Sequence, residues 1–339
     1  MDNRTIEWRA QVSGPDLLRT LPAIIRNELA GHDPIIATVL TLGLYVAGIP
    51  PEDWTQLAAR MAGAHPARIL IINPDRKADG PGIAVHYTAS VRGGEPPVLF
   101  SECLDLHLEG SLATYWIDMV QPLIHSDLPS YLWWRGEPPH EPFRWDLLRT
   151  GFTHLIIDSH GQWESWRPSL AAAHREGMAI DDLEWLRLAA WRRLWADAAD
   201  HPDASHCLFH AERITFEGPS ETMFLMMSAW LASRLGWGWI RSEPRVITLA
   251  NPDGLAAINW HPAPSSRWIF DTARFRLTMS SLAERISATL ENAQGAAVAR
   301  WTGEQPAGEP LALVLRLLNL GHDALYDESL KSLLGDDEE

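Results

Sequence analysis

The sequence predicts an α/β protein, with a mixed-sheet α/β domain in its N-terminal part and a smaller α+β domain after it. Three observations carry this. Runs rich in β-branched residues alternate with segments of helical periodicity as far as residue 200, and one pair of segments alternates strictly about a Gly/Pro turn. Beyond residue 205, strands dominate. The expected division is 1–200, 206–334 and an acidic tail, 335–339.

Residues 15–30 show apolar spacing of a helix that ends at Gly31, and IIATVLTLGLYV reads as a buried strand over 35–46. A helix over 52–64 and the run ARILIINP complete a βαβ unit, which sets strands 35–46 and 68–73 parallel in one sheet. Residues 82–110 read as a hairpin about Gly93, Gly94, Pro96 and Pro97. Ile83, Val85, Tyr87 and Val91 share a face of its first strand, and Leu104, Leu106 and Leu108 share a face of its second.

A helix near 111–125, a strand at 130–134, a helix near 143–150 and a strand at 153–158 continue the alternation, followed by helices near 165–176 and at 182–198. In the last of these Asp181 is the expected cap, with Glu184 three residues on and Leu188, Trp191 and Trp195 along one face. DHPDAS at 200–205 reads as a linker and 207–218 as a strand. Gly218, Pro219 and Ser220 open a helix that Gly236 ends. Antiparallel strands at 244–250, 255–261 and 267–277, a weaker strand pattern over 286–302, and helices near 309–319 and 323–334 complete the chain.

With 28 basic against 44 acidic residues the net charge is -16, which repels nucleic acid and anionic membranes. The longest apolar run, Pro34 to Pro51, is shorter than the roughly 20 residues a membrane-spanning helix needs. The charged start MDNRTIEWRA has no apolar signal core, so a cytoplasmic protein is expected. Cys103 and Cys207 are the only cysteines, which leaves no disulfide scaffold and no CxxC pair. Seventeen tryptophans suit large cores and interface hot spots alike.

The turn after the first strand, AGIPP, has one glycine where a dinucleotide fingerprint needs three, and no P-loop, HExxH, GxSxG or SxxK motif occurs. No cofactor, metal or catalytic residue is assigned. Ser101, Cys103, Asp105, His107 and Glu109 share one hairpin face near His86, a ligand-like set whose ordinary reading is a solvated strand face. Asp158 and Arg135 stand at strand C-termini, where open α/β sheets bind ligands. Asp158 could also pair with Asp127 or Glu137, cap a helix or form an ion pair.

Several of these segments form a pattern. His65, Pro66, Arg68 and Ile69 to Ile72; Asp127, Leu128, Pro129, Leu132, Trp133, Trp134, Gly136, Pro138 and Pro139; and Asp158 with Ser159 come in that order. Asp182, Leu183, Trp185, Arg187, Leu188, Trp191 and Arg192 follow, then Gly218 to Ser220 and Trp230 to Trp237. The chain thereby resembles the glucose-6-phosphate dehydrogenase assembly protein family, OpcA, over roughly residues 35 to 275. Ala67 replaces the family's serine, and Ala189 and Ala190 replace Thr-Pro. The resemblance implies a non-catalytic partner that binds glucose-6-phosphate dehydrogenase and promotes its active oligomer. Trp133, Trp134, Arg135, Arg68, Asp158, Trp185, Arg187, Trp191 and Arg192 are the residues expected at that contact or supporting it. The alternative is a sugar-phosphate or nucleotide pocket at the strand C-termini using Arg68, Arg135 and Asp158.

Overall fold

The computed structural model describes residues 3–11, 35–49, 64–92, 98–140, 142–282, 284–305 and 308–335, with isolated positions between 20 and 61. Most of the candidate helices over 15–30 and 52–64, the hairpin turn at 93–97 and the tail from 336 lie outside the described residues. The chain divides into two compact units, Met1–Ile157 with Ser169–Ile180, and Asp158–Pro168 with Asp181–Glu339.

The first unit is built on β1 (Asn3–Gln11), β2 (Ile35–Ile36), β3 (Leu40–Tyr45), β4 (Ala67–Asp75), β5 (Gly82–Arg92), β6 (Val98–Glu109), β7 (Ser130–Trp134), β8 (His154–Ile157) and the first two residues of β9 (Ala179–Asp182). Their order is β1-β5-β6-β4-β3-β7-β8-β9, with β2 beside β6. Strands β6, β4, β3, β7 and β8 run parallel, the β3/β4 pair as expected of the βαβ reading; β5 joins β6 antiparallel, and β1 joins β5 antiparallel in turn. Progress along the chain moves the sheet from β3 through β4 to β6, then restarts on the other side of β3 with β7. This is the doubly wound order, with its switch point between β3 and β7.

Every residue of β3 and β7 is buried, which is why both read as continuous apolar runs instead of alternating ones. Gly43, in the middle of β3, leaves room for a ring: a Cβ there would lie 2.6 Å from Phe152. The hairpin β5/β6 forms with the expected faces and a register slip between Ser90 and Val91. Ile35 and Ile36, expected to prolong the first strand, pair with β6 instead.

Between β6 and β7 the expected helix is broken into α1 (Ser111–Thr114), α2 (Trp116–Val120) and a single 3-10 turn, Gln121–Leu123, where Pro122 cannot donate to a continued helix. The helices α3 (Trp145–Gly151) and α4 (Trp163–Arg175) flank β8 in sequence.

In the second unit the expected helix at 182–198 is two helices, α5 (Leu183–Arg187) and α6 (Ala189–Ala199), separated at Leu188 (ψ -3°). Asp182 is the cap, not Asp181: extended at φ -110°, it accepts from the Glu184 amide. The segment expected as a linker and the start of a strand is α7 (Pro202–Phe209), with Pro202 in the first turn and the His201 ring accepting from the Asp203 amide. The strand itself, β10 (Arg213–Gly218), begins later. Ser220 caps α8 (Glu221–Leu235), which Gly236 ends at φ 67°, as its sequence signals.

An eight-stranded sheet follows the order β11 (Gly238–Glu243), β12 (Val246–Asn251), β13 (Gly254–Pro262), β10, β14 (Arg267–Asp271), β15 (Phe275–Leu282), β16 (Arg285–Asn292) and β17 (Ala297–Glu304). The strand expected over 267–277 is thus two strands, and β13 runs parallel to β10. The weak pattern at 286–302 resolves into the β16/β17 pair, and α9 (Pro310–Leu320) and α10 (Ala324–Leu334) close the chain where expected. Among the described residues, no helix is long and apolar enough to cross a membrane.

Candidate functional site

Two clusters of the expected residues form, one in each unit. In the first unit, successive residues of β7 point to opposite faces, so Trp133 and Trp134 enter different layers. Arg135 prolongs the ladder, its amide donating to Tyr45 O at 2.9 Å. Its guanidinium lies 4.7 Å from the centre of Trp54 and 5.0 Å from that of Trp133. Trp134 stacks on Tyr45 with centroids 4.0 Å apart and meets Phe143 edge-on at 5.6 Å. Its Nε1 donates to Glu137 O at 2.9 Å, which fixes the loop after the strand.

Both tryptophans are buried. Burying such a ring removes about 150–250 Å² from water, roughly 4–6 kcal/mol of transfer free energy. Their effect on any surface is exerted from beneath.

Above the ends of β3 and β7 lies a cavity of about 630 Å³, lined by Tyr45, Trp116, Trp134, Phe143, Tyr115 and Arg76 among others. A second depression of about 650 Å³ shares Tyr45, Ala47 and Arg76 with it and adds Lys77. The first opens at the switch point, where doubly wound sheets hold ligands. The dinucleotide that such a fold ordinarily takes does not fit this chain. The turn after β3 closes by Ile49 donating to Val46 O, and Gly48 (φ 74°) is its single glycine, so side chains stand where a pyrophosphate requires bare backbone.

Arg68 is not at this end of the sheet. It pairs in register with Thr41, which is level with Ser130, so it marks the N-terminal edge of the parallel strands. There it holds the buried carboxylate of Glu102, and the expected triad of Arg68, Arg135 and Asp158 at one mouth does not form within the first unit. On the polar hairpin face, His107 Nε2 stands 3.5 Å from Asp105, whose hydrogen bond raises the imidazole pKa. Burial pushes the Cys103 thiol up to about 12 and the Cys207 thiol up to about 11, so both are poor nucleophiles at neutral pH.

In the second unit Asp158 forms the ion pair that its sequence allowed. Arg187 Nη1 and Nη2 donate to its two oxygens at 2.6 and 2.7 Å, and Nη1 also reaches Glu184 at 3.2 Å. His160 Nδ1 sits 2.9 Å from the same Glu184 oxygen. Burial opposes the charges on Asp158 and Arg187, but their pairing outweighs it: the carboxyl is held below its ordinary pKa and the guanidinium above its own. Arg192 lies 3.6 Å over the Trp185 ring and donates to Trp185 O at 2.7 Å; burial lowers its pKa to about 10. Trp185 Nε1 donates to Asp323 at 2.8 Å, and Trp191 is buried on the α6 face with Trp195. Glu184 is legible in the sequence only as a helix-start residue, not as an ion-pair partner; His160, Tyr45, Trp116, Phe143 and Arg76 carry no local signal, because strand order decides which segments they share.

Burial pushes the Asp182 carboxyl up to about 7 despite hydrogen bonds from the Ser159 and Glu184 amides. A carboxyl whose folded pKa stands above its unfolded value stabilises fully below the unfolded pKa, and that stability is lost as pH rises through the folded one. The wild-type urea midpoint is therefore expected to fall between pH 5 and 7.5, and Asp182→Asn to flatten that slope. A variant keeping the full slope would exclude Asp182 as its source.

Fold and site together define a two-unit α/β protein in which a doubly wound sheet carries an aromatic cavity in place of a pyrophosphate cradle. The chain belongs to the OpcA family of glucose-6-phosphate dehydrogenase assembly proteins. The family models described as glucose-6-phosphate dehydrogenase subunit N-terminal domain and C-terminal domain match residues 58–174 and 178–330. It is 26% identical over 195 residues to an OxPP cycle protein OpcA of Synechocystis sp., an alignment covering 56% of this chain and 41% of that one. Against the Synechococcus elongatus OpcA it is 30% identical over 184 residues, covering 52% and 41%. The chain thus spans less than half the length of these curated relatives. Among solved structures, a 3-ketoreductase from Actinomadura kijaniata superposes with TM-score 0.45 at 14% identity, covering 89% of this chain and 96% of that one. A likeness that loose carries no argument about activity.

Proposed function

We propose that this chain is a non-catalytic cytoplasmic partner of glucose-6-phosphate dehydrogenase that binds the enzyme, favours its active oligomer and so supports NADPH formation in the oxidative pentose phosphate pathway. The observation that carries this reading is the match of both family domains, in order, over residues 58–174 and 178–330. An activator must bind the active assembly more tightly than the inactive one, by about 10⁴-fold for a complete switch. Ordered loops lower the entropy lost on contact. The buried rings of Trp133, Trp134, Trp185 and Trp191 supply that order; Arg68, Arg187 and Arg192 donate to backbone carbonyls, Asp158 accepts from the His160 amide, and Arg135 packs on Trp54 and Trp133.

Capture of the chain on immobilised dehydrogenase from the same organism tests this. Wild type should bind saturably, and Arg135→Ala with Arg187→Ala, verified as folded by circular dichroism, should bind about ten-fold more weakly. Arg135→Ala alone serves if the double variant unfolds. Absence of wild-type capture, or undiminished binding by the folded variant, contradicts the reading.

A further inference from the structure

We propose that the cavity over the ends of β3 and β7 binds a nucleoside monophosphate, with its base slotted against Tyr115 and Phe143 and its phosphate on Arg76. The site does not depend on the partner reading, since it lies wholly in the first unit and is assayed on the chain alone.

The volume, about 630 Å³, is that of a small-molecule site, and the position is the switch-point crevice. Its chemistry selects the ligand. Tyr115 is 60% exposed and Phe143 half-buried, and both line the space. Phe143 is fixed from behind by Trp134 and by Trp145, the latter at 4.6 Å. Stacking on such rings accepts any flat heterocycle and contributes about 1–3 kcal/mol per base.

On the rim, Arg144 is closed by two 2.8 Å bonds to Asp146. Arg76, exposed just past the end of β4 and common to both depressions, is the guanidinium placed for an anion, with Lys77 beside it. Asp118 and Glu137 line the same cavity. As carboxylates they accept from ribose hydroxyls or a base amino group and repel further phosphates, which favours a monophosphate. A dinucleotide is disfavoured independently, because the turn at Gly48 lacks the glycines for a pyrophosphate.

Isothermal titration of the full chain with AMP, adenosine, ribose 5-phosphate and inorganic phosphate tests the assignment. AMP should bind in the micromolar range, at least about ten-fold more tightly than any of the other three. Arg76→Ala should weaken AMP about ten-fold and leave adenosine unchanged, whereas Tyr115→Ala should weaken both. Both positions are exposed, and matching thermal melts confirm that each variant is folded. No AMP binding at about 1 mM, ribose 5-phosphate or phosphate binding as tightly as AMP, or an Arg76→Ala chain with unchanged AMP affinity would each overturn the proposal.

Discussion

Replacing Arg68 by methionine is expected to cost the fold about 3–5 kcal/mol, read as a lowered urea midpoint. The Glu102 side chain is 0% exposed and its partner 14%. Arg68 Nε and Nη2 donate to one Glu102 oxygen at 2.9 and 2.7 Å, while Tyr87 OH donates to the other at 3.0 Å. A third guanidinium nitrogen holds Leu123 O at 3.0 Å, joining β4 to the 3-10 turn that precedes β7. Removing the cation strands a desolvated carboxylate, and that penalty exceeds the value of the pair itself. Substituting Glu102→Gln as well should therefore restore much of the loss. A single variant within about 1 kcal/mol of wild type would show that water reaches Glu102 and relieves it.

Arg187→Met should cost about 3 kcal/mol in the same measurement, with a pH dependence to which a neighbouring histidine contributes. Glu184 is 4% exposed, so without Arg187 it depends on His160, whose pKa is raised by its hydrogen bond to that carboxylate. An imidazole raised by a partner stabilises at low pH, and the contribution is lost as pH rises through its folded pKa. The deficit should be smaller at pH 5.5 than at pH 8. An equal deficit at both would mean that His160 does not take over the charge.

How far the sequence reveals this arrangement differs between elements. The β3/β4 pairing, the β5/β6 hairpin and α8 were legible because each has a local cause: buried apolar runs, two-residue alternation, a Ser220 cap and a Gly236 stop. The helix at Pro202 was missed although Pro at the first turn is a start signal, because Asp, His and Pro together also compose linkers. Asp181 and Asp182 are equally good caps locally. The strand β9 decides between them by keeping Asp182 extended at its end.

The site divides the same way. Trp133 and Trp134 stood out by composition, yet only the two-sided covering of β7 shows that they are foundations under a surface. The cavity draws Tyr45, Arg76, Trp116 and Phe143 from four separate segments, and their meeting follows from strand order, which no local pattern encodes.

The partner reading is tested most directly by adding the purified chain to glucose-6-phosphate dehydrogenase from the same organism while following turnover and light-scattering mass in one sample. A heavier enzyme particle and a higher rate are expected, both saturating at the same ratio of chain to enzyme. A dehydrogenase unchanged in both mass and rate at saturating chain would contradict it.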